Sequence, residues 1–475
     1  MPALPTGRLL TLSLIQNPTL SIRSKPDEGR ACLRPNHLSV RYGKLNTSMS
    51  TFFRPLLKGA ALSLLGCLTA QAQQTRFIQE GIWRGEFTIN EQKVPFNFEL
   101  KGKSAEEATF SLINGTRRDH FKVKQIGPDS VFIKMNTYDA ALVGKIHENG
   151  QLTGVYKSLV PSFRGNSLPF VAEHGKTYRF VEPGKDIEPA ANLSGKWEIK
   201  LISKEPVANQ VALLEQKGNK LTGVIMTVVG DSRELEGTVQ GNDFVLSGFT
   251  GPNPVLIKGK INEDKTLTAE IDRGLYVSQK LEWTRNKKAE LPDPYALTTL
   301  REGQQRLDFT FPDLDGKQVS LSDAKYKGKV VIVEIIGTWC PNCTDQTAFL
   351  SPWFKANKHR GVEAIAVGFE QKDDLNYAKY VLGKLKDKYG IEYDILFGGL
   401  ADKKLASEKF AALNKMMAFP TTIIIGRDGN VRQIHTGYTG EVTGRYYKNY
   451  VKKWNRDLDK YIAEPAPASS DVASR

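Results

Sequence analysis

The sequence predicts a multidomain chain in which two repeated antiparallel β modules precede an α/β domain. Three observations lead to this. A text pattern recurs at an offset near 114 residues in the first part of the chain, as a duplicated unit does. The hydrophobic rhythm then changes from simple alternation to the interleaved strands and helices of an α/β unit. At the change stands Lys329-Val-Val-Ile-Val-Glu-Ile-Ile-Gly-Thr-Trp-Cys-Pro-Asn-Cys343, an apolar β-branched run that ends in a C-x-x-C.

Composition narrows the function. The 475 residues are enough for about three domains, and 40% hydrophobic with 25% charged residues is ordinary for globular protein. The formal charge of +14 is not a nucleic-acid signature. Residues 1–72 hold nine Lys/Arg and two acids, net +7, and the remaining 57 basic and 50 acidic residues are dispersed without a block of like charge.

Residues 1–48 show no usable periodicity and are expected to be a non-native extension, with translation starting at Met49. Residues 49–72 then read as a signal peptide. Arg54 and Lys58 precede an apolar stretch over 59–68, and Ala70-Gln-Ala72 offers a small-x-small cleavage site. The competing reading is a lipoprotein, with Leu64-Leu-Gly-Cys67 as an approximate lipobox and membrane anchoring only if Cys67 is lipidated. A transmembrane helix fails on length, since roughly 20 apolar residues are needed. The expected location is the periplasm or cell envelope. Cys32 and Cys67 both fall in these segments, so Cys340 and Cys343 remain as one pair and there is no disulfide framework.

Residues 73–190 and 191–290 are the two β modules, built of short alternating strands broken by Gly, Asn and Asp. Gly81-Ile-Trp83 matches Gly195-Lys-Trp197, and Gly127-Pro-Asp-Ser-Val-Phe132 matches Gly241-Asn-Asp-Phe-Val-Leu246. Leu142-Val-Gly-Lys-Ile146 matches Ile257-Lys-Gly-Lys-Ile261, and Gln151-Leu-Thr153 matches Thr266-Leu-Thr268. Each tryptophan is expected to be a core anchor. His120, His147 and His174 are isolated and suggest no metal or acid–base site. Residues 291–304 form a charged, Pro-containing linker, 305–463 the α/β domain, and 464–475 a Pro/Ala/Ser-rich tail expected to be disordered.

In the α/β domain a hairpin is expected over 307–321 around Asp315-Gly316, then the buried strand 330–336. A helix follows from Thr344, kinked by Pro352. Strand 362–369, helix 373–389, strand 393–397, helix 402–414, strands 421–425 and 431–435, and helix 446–462 complete a thioredoxin-like order. The position of the C-x-x-C has a chemical consequence. Cys340 lies near a helix N-terminus, where unpaired N–H groups and the macrodipole stabilise a thiolate. Cys343 lies one turn on, on the same face. Pro341 lacks an N–H that would be orphaned there anyway. The pair is therefore built to open and close a disulfide, with Cys340 attacking and Cys343 resolving. Half of a zinc site is the alternative; it would need two more ligands, for which His359 and His435 are the candidates.

Residues 305–463 resemble the TlpA/ResA branch of exported thioredoxin-like thiol–disulfide oxidoreductases. The resemblance lies in Gly337-Thr-Trp-Cys-Pro-Asn-Cys343, Phe419-Pro-Thr-Thr422 and Ile434-His-Thr-Gly437. The Gly-x-Trp text and Gly230-Asp-Ser-Arg-Glu-Leu-Glu-Gly237 also look like the β region that precedes this domain in some Gram-negative members. The resemblance implies a substrate surface at Trp339, Pro341, Phe419, Pro420 and Thr421, with Pro420 in cis. It implies protein dithiols or disulfides as substrates, a membrane electron donor, and no cofactor, metal or nucleic acid.

This chain departs from the family at one place. Relatives of ResA usually carry a glutamate three residues after the second cysteine, where Gln346 stands here and cannot titrate. Thioredoxin itself has a buried carboxylate six residues before its first cysteine, and that position is Glu334. A carboxylate inside a buried strand has its pKa raised, which suits a proton acceptor for Cys343. The alternative is that Glu334 reaches a lysine or water at the sheet edge; Asp345 is the second candidate acceptor. Two other functions compete with a protein-disulfide reductant. One is an envelope binding protein whose β modules recruit a ligand. The other is a thiol peroxidase, whose Pro-x-x-x-Thr/Ser-x-x-Cys pattern is absent.

Overall fold

A computed structural model describes residues 79–102, 107–135, 138–159, 167–203, 207–251, 253–274 and 277–466. The expected extension 1–48, the signal peptide, Cys67 and all but the first residues of the tail lie outside them.

Alternation of apolar and polar residues produces eight strands first: β1 (Gly81–Ile89), β2 (Gln92–Lys101), β3 (Thr109–Asn114), β4 (Arg117–Gln125), β5 (Ser130–Met135), β6 (Ala140–Ile146), β7 (Leu152–Ser158) and β8 (Leu168–His174). They pair in chain order and close into a barrel where Trp83 on β1 meets His174 on β8. Side chains fill the interior: Trp83, Phe87, Phe96, Phe98 and Phe110 are all buried, and Phe87–Phe96 and Phe98–Phe110 stack at 4.5 Å.

The second module repeats this plan with β9 (Gly195–Leu201), β10 (Gln210–Lys217), β11 (Lys220–Thr227), β12 (Gly230–Asp231), β13 (Leu235–Gln240), β14 (Asp243–Phe249), β15 (Pro254–Ile261), β16 (Leu267–Arg273) and β17 (Val277–Arg285). β9 pairs with both β10 and β17, and β10 with β11, so eight strands again form a ring, with the two-residue β12 appended to β11. The repeated text falls on equivalent strands: β1 and β9, β5 and β14, β6 and β15, β7 and β16. The Gly-x-Trp signature has a shared geometry. Gly81 and Gly195 take φ of +120° and +131°, values that L side chains rarely adopt. Trp83 and Trp197 then turn inward, and each indole N–H donates to the carbonyl four residues back, Gln79 at 2.8 Å and Leu193 at 2.9 Å. Closure into barrels goes beyond the expected antiparallel β modules, because alternation marks a buried face without saying whether the first and last strands meet.

The barrels pack on each other. On β2 five consecutive residues, Val94 to Phe98, are buried, since the outer face of this strand lies against β14 and β15. Arg179 joins the two barrels. Its guanidinium donates to Asn97 Oδ1, Ile113 O and Ser247 O, and burial lowers its pKa to about 10.

The C-terminal domain holds the hairpin β18 (Thr310–Pro312) and β19 (Gln318–Ser320), then β20 (Val330–Ile336), α1 (Pro341–Asn357), β21 (Val362–Glu370), α2 (Leu375–Tyr389), β22 (Asp394–Leu400), α3 (Lys403–Lys409), β23 (Thr421–Ile425), β24 (Val431–Thr436) and α4 (Arg445–Ile462). The order of strands and helices is the thioredoxin-like one. The sheet runs β22-β21-β20-β23-β24. β20, apolar but for one glutamate, takes the centre with every residue buried; β21 pairs with it in parallel and β23 antiparallel.

Three details differ from expectation. The hairpin is only three residues per strand, because Asp313 Oδ1 accepts from Asp315 N and Lys317 N and tightens a turn. α1 begins at Pro341, ahead of the expected start at Thr344, and holds Pro352 within it. α3 stops at Lys409, five residues early, because Phe410 and Leu413 both turn into the core. The segment 291–304 is also no free tether: Thr436 N donates to Pro294 O, Arg301 N to Ala412 O and Asn414 N to Thr299 O.

Candidate active site

The dithiol sits where β20 passes the chain to α1. The turn between them is fastened to the end of β21. Thr338 donates its N–H to Glu370 Oε1 at 3.0 Å and its hydroxyl to Oε2 at 2.7 Å. The Trp339 indole donates to Phe369 O at 2.9 Å. This holds Cys340 at the N-cap of α1 with extended backbone, and Cys340 Sγ accepts from Cys343 N at 3.3 Å. The sulfur therefore occupies the place of a capping oxygen, facing the positive end of the helix. Pro341 takes the first helical position.

Both cysteines are free thiols, Cys340 6% and Cys343 1% exposed. Burial, followed by the adjoining Cys340 and the charge of Glu334, pushes the Cys343 thiol well above its ordinary range. The difference in burial suits an outer sulfur that meets substrate and an inner one that stays protonated until needed.

Opposite lies the loop before β23. The Phe419–Pro420 peptide bond is cis. Phe419 O lies 3.5 Å from Cys340 Sγ, and the Phe419 ring stands edge-on to Trp339 with centroids 5.6 Å apart. Thr421 is fully buried and its hydroxyl donates to Ala418 O at 2.8 Å. The residues expected to form the dithiol site and its substrate surface, Cys340, Cys343, Glu334, Trp339, Pro341, Phe419, Pro420 and Thr421, thus lie at or directly beneath the C-terminal end of β20 and the N-terminal end of β23.

Glu334 is fully buried at the centre of the sheet. Its carboxylate accepts from Tyr393 OH at 2.7 Å and from Thr347 Oγ1 at 3.3 Å. Burial raises its pKa to about 7 against the lowering effect of these donors. Its partners are hydroxyls rather than a lysine, and Thr347 is one helical turn beyond Cys343. Gln346 donates to Thr422 Oγ1 at 2.6 Å and also favours the Glu334 carboxylate by hydrogen bonding. Asp345 is held in ion pairs: Arg233 donates Nη2 to Oδ1 at 2.8 Å and Nε to Oδ2 at 2.9 Å, and Arg117 donates Nη2 to Oδ1 at 3.0 Å. Both its oxygens are engaged in these pairs.

Sequence reasoning did not single out Glu370, Arg233 or Arg117. Glu370 is fully buried and pushed up to about 7 by burial; it closes β21 one residue past the expected strand end, and Glu363 in the same strand leaves no lone acid to notice. The arginines come from the β modules; Arg233 lies inside the Gly230–Gly237 text noted above, but nothing local there says that it reaches the dithiol helix. His359 is exposed past the end of α1, and His435 is buried between Tyr295 and Tyr450. Among the described residues no group of three or more His, Cys, Asp or Glu is placed to hold a metal ion. His120, His147 and His174 bond locally, to Ser111 Oγ, Thr153 Oγ1 and Glu80 O.

A dithiol at a helix start, facing a cis-proline loop above a buried carboxylate, defines a thioredoxin-type redox centre. Residues 303–434 match the AhpC/TSA family. Thiol-disulfide oxidoreductase ResA of Geobacillus kaustophilus is 30% identical over 140 residues, covering 30% of this chain and 72% of that protein. ResA of Halalkalibacterium halodurans is 29% identical over 152 residues, 32% of this chain and 78% of that protein. The chain belongs to the ResA family of thiol-disulfide oxidoreductases. Among solved structures, a thioredoxin-family thiol:disulfide interchange protein from Chlorobium tepidum aligns at 21% identity and TM-score 0.25, covering 35% of this chain and all of that one. The thioredoxin domain of a thiol-disulfide oxidoreductase from Bacteroides vulgatus aligns at 22% identity and TM-score 0.25, covering 33% and 99%.

Proposed function

We propose that this protein is an exported oxidoreductase that reduces disulfides in protein substrates through Cys340 and Cys343. The observation that supports this most directly is the placement of Cys340 Sγ, capping α1 and 3.5 Å from Phe419 O. The Cys340 thiolate attacks one substrate sulfur. A mixed disulfide forms, and the substrate's other sulfur leaves as a thiolate that takes a proton from solvent. Cys343 then loses its proton and attacks Cys340 Sγ, releasing the second substrate thiol. The substrate gains two electrons and the protein's dithiol becomes a disulfide. Glu334 is the acceptor of the Cys343 proton, since its raised pKa lets it hold a proton near neutrality.

Trp339, Pro341, Phe419 and Pro420 form the surface on which a substrate strand lies. Thr421, buried beneath, holds that loop in place through Ala418. The spent disulfide must be reduced again, and for an exported protein the electrons come through a membrane partner. Among the described residues no helix is long and apolar enough to cross a membrane.

Reduction of insulin by the full chain, with dithiothreitol as electron source, tests the reading. Wild type should precipitate insulin at least about tenfold faster than dithiothreitol alone, and Cys340→Ser should abolish the gain. Equal rates for the two proteins would refute it.

A further inference from the structure

One carboxylate on the dithiol helix is shared by arginines from both barrels. Asp345, in the second turn of α1, accepts from Arg117 of the first barrel and Arg233 of the second. Arg233 reaches further. Its Nη2 donates to Pro341 O at 3.0 Å and to Thr344 Oγ1 at 3.3 Å, so it grips the peptide directly after Cys340. Its side chain is only 3% exposed, and its Nη1 donates to Tyr138 OH of the first barrel at 3.0 Å.

The backbone that presents Arg233 is shaped for this. Arg233 itself has φ of +58°, a left-handed conformation that is unfavourable for a non-glycine residue and persists only where the surroundings impose it. Asp231 imposes it, accepting from Arg233 N at 2.7 Å and from Gly440 N of the C-terminal domain at 2.6 Å. Gly230, at φ of +144°, packs so closely that a Cβ there would fall 2.0 Å from Asn342 Nδ2 and 2.7 Å from Tyr438 O. The segment between β11 and β13 thus lies against the middle of the C-x-x-C.

We propose that Arg233 is a positioning residue of the redox centre: it clamps the first turns of α1 through Pro341 and Asp345, so that the second barrel sets the dithiol–disulfide equilibrium of Cys340 and Cys343. The inference rests on the oxidoreductase reading above. A guanidinium at the start of α1 adds to the positive end of the helix and offsets the Asp345 carboxylate, and both effects favour a thiolate at Cys340. Negative charge at Cys340 can form in the dithiol and cannot form in the disulfide. Losing the cation therefore shifts the equilibrium toward the disulfide.

The other charged or titratable groups near the dithiol stay unchanged in the test. They are Glu334 under Cys343, Glu370 behind Thr338, Lys388 on α2, and Asp231 and Tyr438 at the barrel contact.

The experiment equilibrates the full chain with glutathione at neutral pH and low ionic strength. The reaction is dithiol plus glutathione disulfide giving protein disulfide plus two glutathione, quantified after acid quench and alkylation. Arg233→Ala should raise the constant for this oxidation about threefold or more. Asp345→Asn should lower it, because two cations are left unbalanced. Arg233→Ala with Asp345→Asn should return to within about twofold of wild type, and Arg233→Lys, which keeps the charge without the fork, should lie between wild type and Arg233→Ala. Arg179→Ala, at the barrel–barrel contact, should leave the constant at the wild-type value. If Arg233→Ala, or Arg233→Lys should the alanine variant not fold, keeps the wild-type constant while its unfolding midpoint drops, Arg233 is only a strut and the proposal is overturned. A wild-type dithiol that does not exchange with glutathione at all would instead overturn the oxidoreductase reading beneath it.

Discussion

Two buried glutamates make the redox centre sensitive to pH. Glu334 and Glu370 each have a pKa raised from 4.5 to about 7 by burial. Between these limits the folded protein holds protons that the unfolded chain has released. The stability each contributes is present in full below about pH 4.5 and is lost as pH rises through 7, by on the order of 3 kcal/mol per group. Glu334→Gln keeps the shape and the neutral state, so urea unfolding at pH 5 and pH 8 should show a smaller loss than wild type, by about 2–3 kcal/mol. Equal losses would mean that Glu334 titrates normally. The same substitution should slow the second chemical step at pH 7 by about 10- to 100-fold, seen as accumulation of a trapped mixed disulfide. An unchanged decay of that species would assign the Cys343 proton to another acceptor.

At the scale of elements, the duplicated Gly-x-Trp is the keystone of each barrel. Trp197 fills the second barrel's interior and its indole N–H is bonded to Leu193 O. Trp197→Phe should cost about 1 kcal/mol for the bond alone, and Trp197→Ala about 3–5 kcal/mol for the cavity. Chemical unfolding would distinguish the two, and no loss for Trp197→Phe would show that the hydrogen bond contributes nothing to stability. α3 and the short hairpin carry the opposite lesson. Helical propensity across 402–414 is continuous in the text, yet Phe410 packs against Phe309 and Phe311, and the helix ends to let it. Tertiary packing overrides local preference there.

For the whole molecule, the barrels are not beads on a string. Arg179 satisfies carbonyls or side chains of Asn97, Ile113 and Ser247 at the barrel–barrel contact. The paired amide bonds between Asn114 and Phe249 lie beside it. Arg179→Ala leaves these acceptors buried and unpaired and should cost about 2–4 kcal/mol. Calorimetry should then show the single barrel transition broaden or split; a sharp, unshifted transition would place the cohesion of the barrels elsewhere.

The sequence by itself determined the duplication, the central strand and the placing of the C-x-x-C where that strand passes into a helix. These follow from residue periodicity and from chemistry within a few residues along the chain. It also marked Glu334, because an acid in an apolar strand is conspicuous wherever that strand ends up. Only the tertiary structure decided that the β units close into barrels, that Asp345 is claimed by Arg117 and Arg233, and that Glu370 holds the turn before the dithiol. Each of these is a contact between groups distant along the chain, and no local pattern records which partner a buried charge will meet.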